Sequence, residues 1–320
     1  MKNIIEETKN KILRGSDISS EEALILSGTE NPDMLLYEAD QLRKIFNGNV
    51  FDLCSIMNAK SGRCSENCVF CAQSAHFGTN VREYGLITPD DALKLARENE
   101  AAGVKRFSLV TSGRTISEKD LEKLLDIYRL LARETGLILC ASHGLLTIDM
   151  AKELKRAGVH TYHHNLEAGE KFFPNVCTTH IYDERIKTIK NATQAGLNVC
   201  SGGIIGLGEE MSDRIDMAIA IRSLGVRSVP VNILIPVKGT PLENRPRLDP
   251  EEILRTLAVF RFIFPSGNIR IAGGRMALGE EQCTGLRSGI NAAIVGNYLT
   301  TTGGKINDDI IMVKNAGFEI

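Results

Sequence analysis

Phe51-Asp-Leu-Cys-Ser-Ile-Met-Asn-Ala-Lys-Ser-Gly-Arg-Cys64-Ser-Glu-Asn-Cys68-Val-Phe-Cys71 opens as a β-type run, Phe51–Met57, and passes into three cysteines within eight residues. Cys64, Cys68 and Cys71 can hold three corners of a cubane [4Fe–4S] cluster, because soft thiolates suit iron–sulfur clusters. Three protein ligands leave one iron open to chelation by a small molecule. The competing readings are zinc and disulfides. Structural zinc takes four closed ligands, commonly two Cys-x-x-Cys-like pairs, and no second pair or His-x-x-x-His run follows at finger-like distance. Disulfides belong to exported chains. The first residues, Met1-Lys-Asn-Ile-Ile-Glu-Glu-Thr-Lys9, carry charge where an export signal needs an apolar segment. A reducing, cytoplasmic setting is expected for the eight cysteines.

Outward from this stretch, 320 residues with net charge −2 and 24% charged residues are ordinary globular composition. No window approaches the ~20 apolar residues of a membrane span, and the balance gives no electrostatic footprint for nucleic acid; neither partner is expected. Residues 1–45 read as a helical extension, with a capping signal in Asp17-Ile-Ser-Ser-Glu-Glu and helical apolar spacing from Asp33. In residues 46–320 the pattern alternates. Strands are expected at Phe51–Met57, Arg106–Thr111, Leu137–Ser142, His160–Asn165, Asn198–Gly203, Ser228–Ile235, Asn268–Ala272 and Ala293–Tyr298. Helices are expected at Pro89–Glu100, Glu118–Glu134, Ile148–Ala157, Asp183–Ala195, Met211–Leu224, Pro250–Phe262 and Asp308–Ala316. Eight strand–helix units fit one (β/α)8 barrel of TIM type; a doubly wound open sheet is the alternative. Barrel chemistry gathers at the C-terminal strand ends, where the cysteine triad falls.

Several expected strands carry polar or sulfur residues where branched apolar ones normally fill a barrel. Asn165 and Glu167, two apart, point to one side of the fourth strand. Cys140 and Cys200 sit on the third and fifth, Asn232 on the sixth, and Arg270 between two isoleucines on the seventh. Buried amides and guanidinium groups are costly unless partnered, so together they suggest a polar ligand or a cluster. Singly, Asn232 could cap backbone, and Cys140 or Cys54 could be small packing residues; Cys54 is read as packing. One of His163 and His164 is expected inward. The run Gly203-Ile-Ile-Gly-Leu-Gly-Glu209 permits close backbone approach and lacks dinucleotide-fingerprint spacing.

Nearly the whole chain resembles the biotin synthases of the radical S-adenosylmethionine (SAM) superfamily. The resemblance is carried by Met57-Asn-Ala-Lys-Ser-Gly-Arg-Cys64 through Ser74, His164-Asn-Leu-Glu167, Thr178-Thr-His-Ile-Tyr-Asp-Glu-Arg185, Val199–Glu209, Val237-Lys-Gly-Thr-Pro-Leu242 and Ile269-Arg-Ile-Ala-Gly-Gly-Arg275. It implies radical insertion of sulfur into dethiobiotin, with no protein side chain as the catalytic group. It assigns the [4Fe–4S] cluster to Cys64, Cys68 and Cys71, SAM to Phe70, Asn165, Glu167, Arg185 and Ile205, and the substrate to Asn165 and Asn232. A sulfur-donating auxiliary cluster, [2Fe–2S] or a four-iron variant, falls to Cys140, Cys200 and Arg270. The fourth position of that set is Ser108 here, and Cys177 and Cys283 are the candidates to compensate. A flavodoxin or ferredoxin electron donor and a homodimer are implied. The alternatives are a hydrogenase-maturation or methylornithine-synthase type of barrel, a non-catalytic iron–sulfur carrier, and a zinc module.

Overall fold

The computed structural model describes residues 4–296, Leu299 and 304–320. Three helices, α1 (Ile4–Leu13), α2 (Ser20–Ser27) and α3 (Pro32–Asn47), precede β1 (Asp52–Lys60). Then follow α4 (Pro89–Ala101), β2 (Arg106–Thr111), α5 (Glu118–Glu134), β3 (Ile138–Ser142), α6 (Ile148–Arg156), β4 (Thr161–His163) and α7 (Tyr182–Gln194). The second half holds β5 (Asn198–Cys200), β6 (Gly203–Ile205), α8 (Met211–Ser223), β7 (Ser228–Ile233), α9 (Pro250–Ile263), β8 (Asn268–Ile271), α10 (Gln282–Leu286), β9 (Ala292–Val295) and α11 (Ile306–Asn315).

Every strand pairing is parallel, and the sheet closes: β1 pairs with both β2 and β9, while β5 and β6 both pair with β7. β5 and β6 are two pieces of one strand position, giving eight positions and the expected (β/α)8 barrel. The expected strand Asn198–Gly203 is broken at Ser201–Gly202, where a Cβ on Gly202 would lie 1.8 Å from the Pro230 carbonyl oxygen. The fourth strand keeps ladder pairing only over Thr161–His163. Beyond it the chain runs beside that break through His164 N to Cys200 O at 3.0 Å and Leu166 N to Gly202 O at 2.9 Å. Of the last expected strand, Asn297 and Tyr298 lie outside the described residues.

Local chemistry explains the helices. Thr88, Ser117 and Thr147 accept from the third backbone amide of α4, α5 and α6, satisfying a donor that the first turn leaves free. α5 buries Leu121, Leu124, Leu125, Tyr128 and Leu131 at helical spacing against the barrel, each side chain contributing about 1.5–3 kcal/mol. α9 is buried nearly all round because α2 and α3 cover its outer side. Its Arg261 is fully buried, donating to the carbonyls of Phe264, Pro265, Gly267 and Gly289 and to Asn47 and Asn291.

Register fixes the interior. Cys54 is level with Arg106 and Ile138, Cys140 with Thr161 and Asn198, Cys200 with Ser228 and Asn268, and Arg270 with Ala292 and Asp52. Each step of two strand positions therefore advances the register by two residues, accumulating a shear of eight around the barrel. At that shear, side chains on alternate strands lie in one layer across the axis. Cys54, Cys140, Cys200 and Arg270, on positions one, three, five and seven, form one such layer.

Candidate active site

A cavity of about 700 Å³ occupies the barrel interior. Phe70, Asn165, Glu167 and Asn232 line it toward the C-terminal strand ends; Cys54, Cys140, Cys200 and Arg270 line it lower down.

The cysteine loop following β1 is irregular and pinned by Cys64 N to Gln73 O at 3.0 Å, Ala75 N to Cys64 O at 2.7 Å and Ser74 Oγ to Glu66 O at 2.7 Å. Burial pushes the Cys71 thiol up to about 11 and the Cys64 thiol upward too. Backbone amides of Gln73 and Ser74 at Cys71, and of Glu66 and Gly113 at Cys64, oppose that shift by favouring the thiolates. Among the described residues Cys68 has no such backbone donor, and it is raised, chiefly by its contact with the Cys177 side chain and then by burial. Three converging cysteine sulfurs, two of them fed by backbone N–H groups, fit an iron–sulfur cluster, whose sulfurs accept such bonds.

Beside it, Glu167 adopts φ +72°, a left-handed conformation that costs a branched or bulky residue roughly 1–2 kcal/mol. The strained turn is held by Glu167 N to Gly202 O at 3.2 Å and Ile204 N to Glu167 O at 3.0 Å. Gly203 is required there, since its Cβ would stand 2.5 Å from the Glu167 carbonyl oxygen. Asn165 Nδ2 donates to Glu167 Oε2 at 3.1 Å, its Oδ1 accepts from Gly202 N at 3.1 Å, and Arg185 Nη1 donates to Asn165 O at 2.8 Å. Arg185 thus supports the Asn165–Glu167 pair from behind and does not line the cavity. Ile205 is also off the cavity, fully buried in the main core, while Ile204 lines it, because successive strand residues face opposite sides. Asn232 faces the cavity and bridges backbone as well, donating to Gly203 O at 3.2 Å and accepting from Gly273 N at 3.0 Å. His163 is the inward member of the histidine pair.

In the lower layer, the Cys54 thiol is raised and the Cys140 thiol lowered, each chiefly by the hydrogen bond between the two side chains. Cys54 is a wall of the cavity and not the packing residue expected from sequence. Burial raises Cys200, whose Sγ accepts from Ser228 Oγ at 3.2 Å. Burial works against the Arg270 charge, but Asp52, Cys54 and Cys200 together more than offset it; Asp52 accepts from Arg270 Nη2 at 2.8 Å and from Arg106 Nε at 2.8 Å. Ser108 lies one layer higher, with His163, Pro230 and Ile294. The proposed compensating cysteines are elsewhere. Cys283 is exposed in a groove between α10 and α11 and does not line the barrel cavity. Cys177 is buried beside the triad, where Cys68 Sγ, Cys177 Sγ and His180 Nδ1 lie within 4.8 Å of one another. The contact with Cys68, then His180 and Thr179, holds Cys177 below the ordinary thiol range. The missed residue, Cys54, had a signal: Asp52, Cys54 and Ile56 alternate along β1 with a polar residue on the inward face.

A closed parallel barrel with a three-cysteine loop after its first strand defines a radical SAM enzyme. Residues 59–221 match the Radical SAM superfamily, and residues 230–319 match the Biotin and Thiamin Synthesis associated domain. Among solved structures, methylornithine synthase (PylB) superposes with TM-score 0.86 at 18% identity, covering 98% of this chain and 96% of that one. The [FeFe]-hydrogenase maturase HydG gives TM-score 0.84 at 18% identity, covering 98% and 74%. Both share the fold. Curated relatives go further: the biotin synthase of Acetivibrio thermocellus is 55% identical over 98% of each chain, and that of Clostridium tetani 53% identical over 100% of this chain and 99% of its own. The chain belongs to the biotin synthase family. It is a sulfur-inserting radical SAM enzyme that works with a [4Fe–4S] cluster, SAM and an auxiliary iron–sulfur cluster. No helix among the described residues is long and apolar enough to cross a membrane.

Proposed function

We propose that Cys64, Cys68 and Cys71 hold the [4Fe–4S] cluster, that Phe70, Asn165 and Glu167 seat SAM with Arg185 bracing them, and that Cys54, Cys140, Cys200 and Arg270 hold the auxiliary cluster. When bound, these groups supply the 5′-deoxyadenosyl radical and the sulfur that convert dethiobiotin to biotin. Asn165 and Asn232 take the ureido ring; both line the cavity between the two proposed cofactor sites.

The observation that carries this reading is the single layer of four. Ser108 removes a thiol from the second strand position, and Cys54 restores one from the first, in the same layer as Cys140, Cys200 and Arg270. A thiolate suits iron better than a serine oxygen. Iron and sulfide analysis with Mössbauer spectra of anaerobically reconstituted Cys54→Ala, Ser108→Ala, Cys177→Ala and Cys283→Ala tests it. Loss of auxiliary iron in Cys54→Ala alone is expected; full auxiliary iron in Cys54→Ala, with loss in Cys177→Ala or Cys283→Ala, refutes it. The Mössbauer parameters also report the nuclearity. A flavodoxin- or ferredoxin-class electron donor, a homodimer and a cytoplasmic setting complete the reading and rest on the family resemblance.

A further inference from the structure

TIM-type barrels are plugged by layers of branched side chains and are not pores. The lower layers of this barrel are mostly polar and line open space. Beneath the Cys54–Cys140–Cys200–Arg270 layer, the remaining inward positions are Arg106, Thr161, Ser228 and Ala292, and beneath those Asp52, Ile138, Asn198 and Asn268, so a single branched apolar side chain stands among eight. All but Ala292 and Ile138 line the same cavity that reaches Asn165 and Glu167 at the other end. That cavity continues past the strand starts to Thr193 and His160, which are exposed, and to the loop Leu224–Arg227. The interior is therefore open toward the N-terminal face, between the end of α7 and the end of α8, on the side away from the cysteine triad.

The charge at this opening is cationic. Asp52 is already shared by Arg106 and Arg270. Arg227, exposed at the mouth, has no ion-pair partner among the described residues. Asn198 and His160 hydrogen-bond to each other at 3.2 Å, and His160 to Thr161 at 3.0 Å, so polar groups continue from the mouth to the level just below Cys200. A short polar passage with a free guanidinium at its entrance favours a small anion, and field focusing raises the rate at which one enters.

We propose that this N-terminal opening is an entry port for hydrosulfide, through which sulfur lost from the auxiliary cluster is replaced without crossing the SAM site. The proposal rests on the assignment of the auxiliary cluster to the Cys54 layer. It accounts for the polar lining of the lower layers, where branched apolar side chains normally stand. Hydrosulfide passes as an anion through pre-existing space, with no bond made on the way. The upper route is then left to the organic substrate and the nucleotide.

The test uses the full chain carrying its [4Fe–4S] cluster but depleted of the auxiliary cluster, supplied with ferrous iron and isotope-labelled sulfide. Uptake of label is followed by absorbance and sulfur mass analysis in the absence of dethiobiotin. Arg227→Glu, a surface change that leaves the core untouched, is expected to slow uptake about tenfold or more at low salt and to lose the salt dependence seen in the wild type. Asn198→Trp, which fills the passage, is expected to slow it at least as much at every salt concentration. Biotin formed in the first turnover, per preassembled auxiliary cluster, is expected to stay at the wild-type level in both. Unchanged label uptake in the two variants overturns the port. A raised dethiobiotin KM with normal uptake overturns it as well, assigning the opening to the substrate carboxylate. Absence of biotin from fully loaded wild type would instead overturn the functional reading, since the uptake measurement does not depend on turnover.

Discussion

Replacing Gly202 by alanine should separate the seam of the barrel from the rest of the fold. The added Cβ would stand 1.8 Å from the Pro230 carbonyl oxygen and 2.8 Å from its carbon. An ordinary contact needs roughly 3.2 Å or more, so the β5–β6 junction must retreat from β7 by over an ångström, in an interior that packs like a crystal. Retreat strains Ser201 N to Ser228 O (3.0 Å), Leu166 N to Gly202 O (2.9 Å) and Gly202 N to Asn165 Oδ1 (3.1 Å). Overpacking costs typically about 1–3 kcal/mol, and a buried group left unpaired about 1–3 kcal/mol. A loss of about 3 kcal/mol follows. The control is Gly78→Ala, where nothing lies within 4 Å of the new Cβ; its effect should stay within about 0.5 kcal/mol. Urea unfolding of the cluster-free chains, read by circular dichroism, gives both values. Because Gly202 also anchors Asn165 and the Glu167 turn, the variant should bind SAM more weakly when loaded. A Gly202→Ala midpoint indistinguishable from that of Gly78→Ala would refute the steric account of the broken strand.

His143 is buried, within hydrogen-bond reach of Thr111 and Tyr128, and burial pushes it down to about 3 from 6.5. A histidine depressed in the folded state contributes stability that is complete above the unfolded value and falls as pH drops below it, so about 2 kcal/mol should be lost between about pH 8 and pH 5; His143→Gln should flatten that slope, and an unchanged slope in denaturant midpoints against pH would contradict the assignment. Arg261→Met removes the side-chain donor to the carbonyls of Pro265, Gly267 and Gly289 and to Asn47 and Asn291 and should lower stability by about 3–5 kcal/mol, measurable as a fall in urea midpoint with cluster content per folded chain unchanged. Adding SAM should perturb the electron paramagnetic resonance of the reduced [4Fe–4S] cluster equally in wild type and Cys177→Ala; a response confined to the variant would mean that Cys177 occupies the iron meant for SAM. Alkylating exposed Cys283 should leave both clusters and activity intact, and iron loss on alkylation would place it in the site after all.

Much of the fold was legible because alternation and capping are local. The α5 boundaries read from Glu118 to Glu134 are those found, since Ser117 caps one end and apolar spacing persists to the other. The broken fifth strand was not legible. Gly202 and Gly203 announce freedom of conformation, but the reason for using it is a Pro230 carbonyl that lies 28 residues downstream and becomes a neighbour only on closure. Likewise, Glu167 was expected beside Asn165, but its left-handed backbone is imposed by the seam and is invisible in local sequence.

Cys54, proposed above as an auxiliary-cluster ligand, lines the barrel cavity, whereas Cys177 and Cys283, expected to compensate for Ser108, do not. Substitution at Ser108 invites a search for a replacement in sequence-mobile loops, whereas a barrel offers replacements through its layers. With a shear of eight, a residue on the first strand position meets one on the third across the axis more readily than the intervening second strand does, because the second belongs to another layer. Ser108 is level with Cys140 along the ladder, yet its side chain sits a layer above the Cys140 thiol. Cys54, two strands from Cys140, reaches that thiol. On the proposed assignment, a ligand leaves one strand and reappears on its neighbour with the donor count unchanged, and the set so drawn, from positions one, three, five and seven, shares one layer. In sequence, the sign of such a move is an inward cysteine two residues after an inward carboxylate, Asp52 then Cys54, with that carboxylate bound to the arginine that completes the set.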